Sequence, residues 1–100
     1  MNNRNKKSNP DHELYRAILQ LKDLDECYQF FVDLCTVSEM KAMEQRYEVA
    51  RLLSKGMIYN DILEQTGASS ATISRVNRSL NYGTDTYREI FARLDKEEQA

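Results

Sequence analysis

The sequence is poor both in residues that interrupt helices and in residues that build enzyme sites. Its 100 residues include one proline, three glycines, no tryptophan and one histidine. His12 stands alone, and no cysteines or carboxylates cluster at metal-ligand spacing. We therefore expect no enzymatic activity, no metal site and no bound cofactor, although an unidentified small-molecule effector stays open.

Long apolar runs are also missing. No stretch approaches the ~18 residues of a membrane span, and the charged start, residues 1–7, lacks the apolar region of a signal peptide. We expect a cytoplasmic protein without membrane association. Because apolar residues recur periodically from residue 11 onward, the sequence predicts a single all-helical domain over residues 10–100.

Two cysteines, Cys27 and Cys35, fall within one predicted helix. At 1.5 Å per residue their backbones lie about 12 Å apart, which is too far for a disulfide. We expect both to be reduced residues of the core.

Charge is distributed unevenly, with a net value of −2. Residues 1–10 carry +3 and residues 11–34 carry −4. Residues 1–9 are predicted to form a disordered basic arm that could contact DNA. A net negative charge disfavours strong non-specific binding to nucleic acid, but it leaves site-specific binding open.

Apolar periodicity predicts about six helices. The first starts at residue 10 after an Asn9 cap and runs to about Lys22, and Thr36 with Glu39 forms a capping box before the long third helix. The first two helices are apolar on more than one side, which favours a homodimer contact through residues 10–34. The further segments are 25–34 for the second helix, 37–55 for the long central helix, 58–81 for a helix-turn-helix and 84–98 for the C-terminal helix.

The segment 59–76 has the pattern of two short helices joined at Gly67. Ile73, Val76 and Leu80 recur at i, i+3 and i+7 and form one apolar stripe for the core. The opposite face carries small and basic side chains, which suit a DNA major groove. Gly83 is expected to end this helix in the left-handed conformation, as Gly56 ends the long helix.

The predicted DNA-binding residues belong to this second helix and its start, with Arg78 as a phosphate contact. They are Ser69, Ser70, Ala71, Ser74, Arg75 and Arg78. The partner would be double-stranded DNA with a palindromic operator. The main alternative is a helix-turn-helix that binds another protein without contacting DNA, and a replication-initiator type of DNA-binding domain is a third, less favoured interpretation.

The stretch 67–75, GASSATISR, followed by Ser79 and Leu80, resembles the Trp repressor family. The resemblance extends from Thr36 to Leu80, including the threonine before the long helix and the glycine after it. It implies an intertwined, all-helical homodimer that binds DNA as a transcriptional regulator, typically a repressor.

The same resemblance implies a site for an effector between the long helix and the recognition helix. In the family this effector is L-tryptophan. The matching positions here are Thr36, Arg46, Arg75, Val76 and Ser79. Val76 departs from the family pattern, which has glycine there, and its side chain would fill space that the ligand needs. The helix before the turn is also one residue shorter than in the family. We therefore do not expect L-tryptophan to be the effector.

Overall fold

The computed structural model describes Asn9 and residues 12–99, and all regular structure in this part of the chain is helical. This confirms the predicted all-α class. The helices are α1 (Glu13–Ile18), α2 (Leu24–Leu34), α3 (Val37–Ser54), α4 (Tyr59–Thr66), α5 (Ser70–Tyr82) and α6 (Thr86–Gln99).

The chain divides into two compact units, residues 1–37 and 38–100. The first contains α1 and α2, and the second contains nearly all of α3 together with α4, α5 and α6. The sequence predicts one domain and gives no sign of this division. In the described residues, no helix is long and apolar enough to cross a bilayer.

Helix α1 ends at Ile18, earlier than the predicted end at about Lys22, so that predicted end was wrong. It begins at Glu13, after His12, whose Nδ1 accepts a hydrogen bond from the Leu14 backbone N–H at 3.3 Å. It ends at Ile18, because the backbone N–H groups of Gln20 and Leu21 donate to carbonyls three positions back, as in a 3₁₀ turn, and not four positions back. Asn9 accepts a hydrogen bond from the His12 N–H through its backbone carbonyl. Two predictions lie outside the described residues: the disordered arm, except for Asn9, and the helix start at Pro10 and Asp11.

Helix α2 starts with a reciprocal pair of side-chain caps. The Asp23 carboxylate accepts from the Glu26 N–H at 2.8 Å, and the Glu26 carboxylate accepts from the Lys22 N–H at 3.0 Å. Cys27 and Cys35 are free thiols, as expected, but they are only half-buried and so are not core residues. Neither α1 nor α2 contains a fully buried residue.

The second unit has a well-defined core between α3, α4 and α5. Ile73, Val76 and Leu80 are each at most 3% exposed, which confirms the predicted stripe. The core also contains residues from the other two helices and from the turn: Val49, Ala50, Leu52, Ile62 and Ala68.

One face of α3 has two environments. The helical period of the sequence puts Met43, Tyr47 and Ala50 on that face, but Ala50 is buried whereas Met43 and Tyr47 are both more than one-third exposed. Tyr47 instead packs edge-on against Phe91 of α6, with ring centroids 5.5 Å apart. The apolar residues of α3 therefore serve two contacts, and no single period describes them.

The three glycines end helices in different ways. Gly56 has φ +87° and Gly67 has φ +73°, so both occupy the left-handed region that glycine tolerates best. Gly83 has φ −88° and ψ −143°, so the predicted left-handed cap is wrong there. A Cβ atom at Gly83 would lie 2.3 Å from the Ser79 carbonyl oxygen, so glycine is needed for close approach. The next helix starts at Thr86 rather than residue 84, because Asp85 takes φ +69°.

Gly67 and Gly83 should respond differently to replacement by alanine. Gly67→Ala adds a methyl group in open space and should cost about 1 kcal/mol in unfolding free energy through backbone strain alone. Gly83→Ala must displace backbone atoms of α5 and should cost about 2–3 kcal/mol. Urea denaturation at one fixed protein concentration would measure both, and a larger loss for Gly67→Ala would contradict this order.

Candidate nucleic-acid interface

The turn between α4 and α5 is fixed by hydrogen bonds on both sides of Gly67. The Gly67 N–H donates to the Leu63 carbonyl at 2.9 Å. The Thr66 hydroxyl donates to the Ile62 carbonyl at 2.7 Å and accepts from the Ala68 N–H at 3.1 Å. These bonds use backbone groups that a helix end leaves unpaired, so the turn has a defined geometry.

A bond from outside the helix-turn-helix joins the turn to the long helix. The side-chain amide of Gln45 in α3 donates to the Thr66 carbonyl at 3.3 Å. Ala68 follows at once and is buried in the core. The turn is thus attached to the same scaffold as α5.

Ser69 is the N-cap of α5. Its hydroxyl accepts from the Thr72 N–H at 3.1 Å and also bonds the Thr72 hydroxyl at 3.1 Å. Ser69 therefore stabilises the start of the helix, whereas Ser70 is the first helical residue and its side chain is exposed.

The buried stripe of α5 determines which side chains face outward. With Ile73, Val76 and Leu80 in the core, the opposite face of the helix is exposed. All six predicted DNA-binding residues are exposed, and four of them share this outward face: Ala71, Ser74, Arg75 and Arg78.

The electrostatics of this face favour an anion. Residues 65–84 include Arg75 and Arg78 and contain no aspartate or glutamate. In the described part of the chain, neither guanidinium has a carboxylate within 4 Å. Arg51 of α3 is different, because it forms two 2.9 Å bonds to Glu48, and these lower the pKa of that carboxyl group. Arg75 and Arg78 therefore present uncommitted donors to solvent.

The predicted effector residues do not all share one environment. Thr36 belongs to the first unit, and the other four positions belong to the second. Arg46, Arg75 and Ser79 are exposed. Val76 is 3% exposed and belongs to the same core cluster as Val49 and Ala50 of α3.

A cavity of about 490 Å³ lies beside the end of α5. Of the five predicted effector positions only Ser79 lines it, and the other lining residues come from α3, the α5–α6 connection and α6: Tyr47, Gly83, Thr84, Asp85, Thr86, Tyr87 and Ile90. Sequence reasoning did not find this cavity, because its walls come from segments that no motif connects. No group of acidic, histidine or cysteine side chains in the described residues could hold a metal ion.

Sequence reasoning also missed a hydrogen-bonded chain at the edge of α5. Arg88 of α6 donates to the Asn81 side-chain oxygen at 2.9 Å, and the Asn81 amide donates to Asn77. The spacing of Asn77 and Asn81 is a detectable helical signal. Arg88 lies beyond a helix break, so its contact has no sequence signal.

Comparison with known proteins identifies the family of the chain. The sequence profile of the Trp repressor protein family matches residues 11–95. A curated relative, the uncharacterised protein YerC of Bacillus subtilis (strain 168), is 54% identical over 86 residues, which are 86% of this chain and 83% of that protein.

Two solved structures have the same fold at high sequence identity. A TrpR-like protein from Eubacterium eligens ATCC 27750 is 59% identical, with a TM-score of 0.81 over 83% of this chain and 86% of its own. A candidate Trp repressor from Staphylococcus aureus is 45% identical, with a TM-score of 0.84 over 95% of both chains. The profile match over most of the sequence and the shared fold show that the chain belongs to the Trp repressor family.

Proposed function

We propose that this protein is a homodimeric, sequence-specific DNA-binding regulator that represses transcription from palindromic operators. Membership of a family of DNA-binding regulators supports the general part of this proposal. Helix α5 would lie in the major groove, as in the helix-turn-helix proteins for which Trp repressor is itself a standard example.

One observation carries the proposal: the outward face of α5 has small side chains and two unpaired guanidiniums, and no acid lies in residues 65–84. Small residues such as Ala71 and Ser74 allow a helix to approach base edges closely. Arg78 lies nearer the C-terminal end of α5, where a recognition helix meets the backbone wall of the groove, so we assign it a phosphate contact.

Binding to another protein would use the same face differently. A protein interface depends mainly on buried apolar area, and its affinity responds weakly to salt. A DNA interface releases counterions, and its affinity falls steeply with salt. The salt dependence of the wild-type protein therefore distinguishes the two functions.

The homodimer is proposed from the apolar surface of the first unit. Leu19 of the α1–α2 connection and Leu24 of α2 are 81% and 85% exposed. A unit whose helices bury no residue gains little stability from its own packing. A second copy of the chain would cover this surface, and two copies of α5 would then meet successive turns of DNA.

We further propose that DNA binding does not require L-tryptophan. The Val76 side chain is 3% exposed and belongs to the core cluster that also contains Val49 and Ala50 of α3. A ligand that entered there would have to displace packed side chains, which typically costs ~1–3 kcal/mol. Arg46 and Arg75 remain exposed and could bind a smaller anion.

Removing the proposed phosphate contact should weaken binding to every sequence. Arg78→Ala should lower affinity about tenfold on specific and random duplexes alike, and should flatten the dependence of log K on log salt by about one unit. Fluorescence anisotropy over a salt series measures both quantities, with an operator obtained by selection from random DNA or by genome-wide immunoprecipitation. Equal affinity and slope for Arg78→Ala and wild type would contradict the assignment.

Ala71→Asp should abolish specific binding while helicity is retained.

The first unit should control assembly. Sedimentation equilibrium at micromolar concentration should give twice the chain mass of 11.7 kDa for wild type. Leu19→Gln with Leu24→Gln should shift the protein to monomer, because each removes exposed apolar surface from the proposed contact. Ile58→Gln, at a position 62% exposed outside the first unit, is the matched control and should stay dimeric. A fully helical wild-type monomer would rule out the dimer.

Tryptophan should not bind at micromolar concentration. The chain has no tryptophan of its own, so the fluorescence of added L-tryptophan reports binding directly. Val76→Gly opens space and should gain affinity; because Val76 is buried, its urea denaturation must be measured in parallel. Saturable micromolar binding by wild type, with a matching gain in operator affinity, would overturn this proposal.

A further inference from the structure

The C-terminal half of α5 has a second cation at its border, and it comes from a different helix. Arg88 lies in the first turn of α6, yet its guanidinium reaches back to α5 and donates to the Asn81 side-chain oxygen at 2.9 Å. In the described residues no carboxylate lies within 4 Å of Arg88. Its charge is therefore balanced by no neighbouring acid.

The acceptor of this bond is itself held in place. The Asn81 amide nitrogen donates to the Asn77 carbonyl at 3.0 Å and to the Asn77 side-chain oxygen at 2.9 Å. With its amide nitrogen committed to α5, Asn81 directs its oxygen outward to Arg88. A guanidinium has five N–H donors, and this bond uses one of them, so the remaining donors can bind a second partner.

The position of Asn81 places this cation at the edge of the proposed DNA-binding face. At 3.6 residues per turn, Asn81 lies about 20° around α5 from Ser74 and about 60° from Arg78. It is also about 10 Å farther along the helix axis than Ser74. In helix-turn-helix complexes the N-terminal residues of the recognition helix contact bases. A group two turns later lies toward the backbone wall.

We propose that Arg88 binds a backbone phosphate of DNA, and that Asn81 is a positioning residue that holds its guanidinium beside α5. This inference rests on the proposed DNA-binding function. It adds a contact from α6, so that the interface includes two phosphate-binding arginines on successive helices. Arginine suits this role because its planar fork can bond Asn81 and a phosphate at once.

Three variants and one control test the assignment by fluorescence anisotropy over a salt series. Arg88→Ala and Arg88→Gln should each weaken binding about tenfold on all duplexes and flatten the salt slope by about one unit. Arg88→Gln keeps an amide donor without the charge, so it separates loss of charge from loss of the tie to α5. Asn81→Ala keeps the charge and should weaken binding only about threefold, with the slope retained, because only the positioning is lost.

Arg93→Ala is the matched control. Arg93 lies on the same helix, is exposed, and faces Glu89 at 3.9 Å, on a side about 140° from Arg88. The Arg93→Ala variant should bind DNA with the affinity and salt slope of wild type. Thermal unfolding of each variant should match wild type, since the Arg88–Asn81 bond is exposed.

The outcomes separate this inference from the proposed function. Wild-type binding to DNA with a steep salt slope, together with an unchanged slope in Arg88→Ala and Arg88→Gln, would overturn the Arg88 assignment alone. An equal loss of slope in Arg93→Ala would overturn it too, because the effect would then reflect net charge. Failure of wild type to bind any duplex at low salt would overturn the DNA-binding function and this inference together.

Discussion

The burial of one side of α5 is the constraint on which the rest of the second unit depends. Ile73, Val76 and Leu80 are in the core, and a helix fixed along about two turns cannot rotate without exposing them. Exposing even one such side chain costs about 1.5–3 kcal/mol, so the opposite face is held outward. The same packing that stabilises the unit therefore orients the side chains that are proposed to contact DNA.

The core fixes the rotation of α5 about its axis, and the turn before α5 fixes the direction of that axis. Gly67 lets the chain reverse in the left-handed conformation, and the Thr66 hydroxyl bonds on both sides of that reversal. Gln45 then joins the turn to α3. A DNA-binding helix must fit its groove before any side chain can contribute specificity. The proposed contacts of Ser74 and Arg78 therefore depend on these structural hydrogen bonds.

The parts of the structure that the sequence predicts are those in which one local pattern determines the result. The α5 stripe has a clean helical period and no competing contact, so its buried and exposed faces were both predicted. Helix α3 contacts the core and α6 at once, so the helical period that groups Tyr47 with Ala50 does not determine which of the two is buried. The C-terminal end of α1 and the conformation of Gly83 depend on competing caps and on a backbone contact with Ser79. The Arg88–Asn81 bond joins two helices across a break, and no local pattern records it.

Val76 connects the core to the proposed regulation. In the family, the effector lies between the long helix and the recognition helix, where the usual glycine leaves room for it. Here the corresponding position of α5 carries the isopropyl group of Val76, which is buried in the same core cluster as Val49 and Ala50. Apolar packing in a core restricts a helix whether the apolar group belongs to a ligand or to the chain. In the proposed function, Val76 would therefore hold α5 in position permanently, and control by an effector would have to act through the exposed arginines or the cavity beside Ser79 rather than by completing the core.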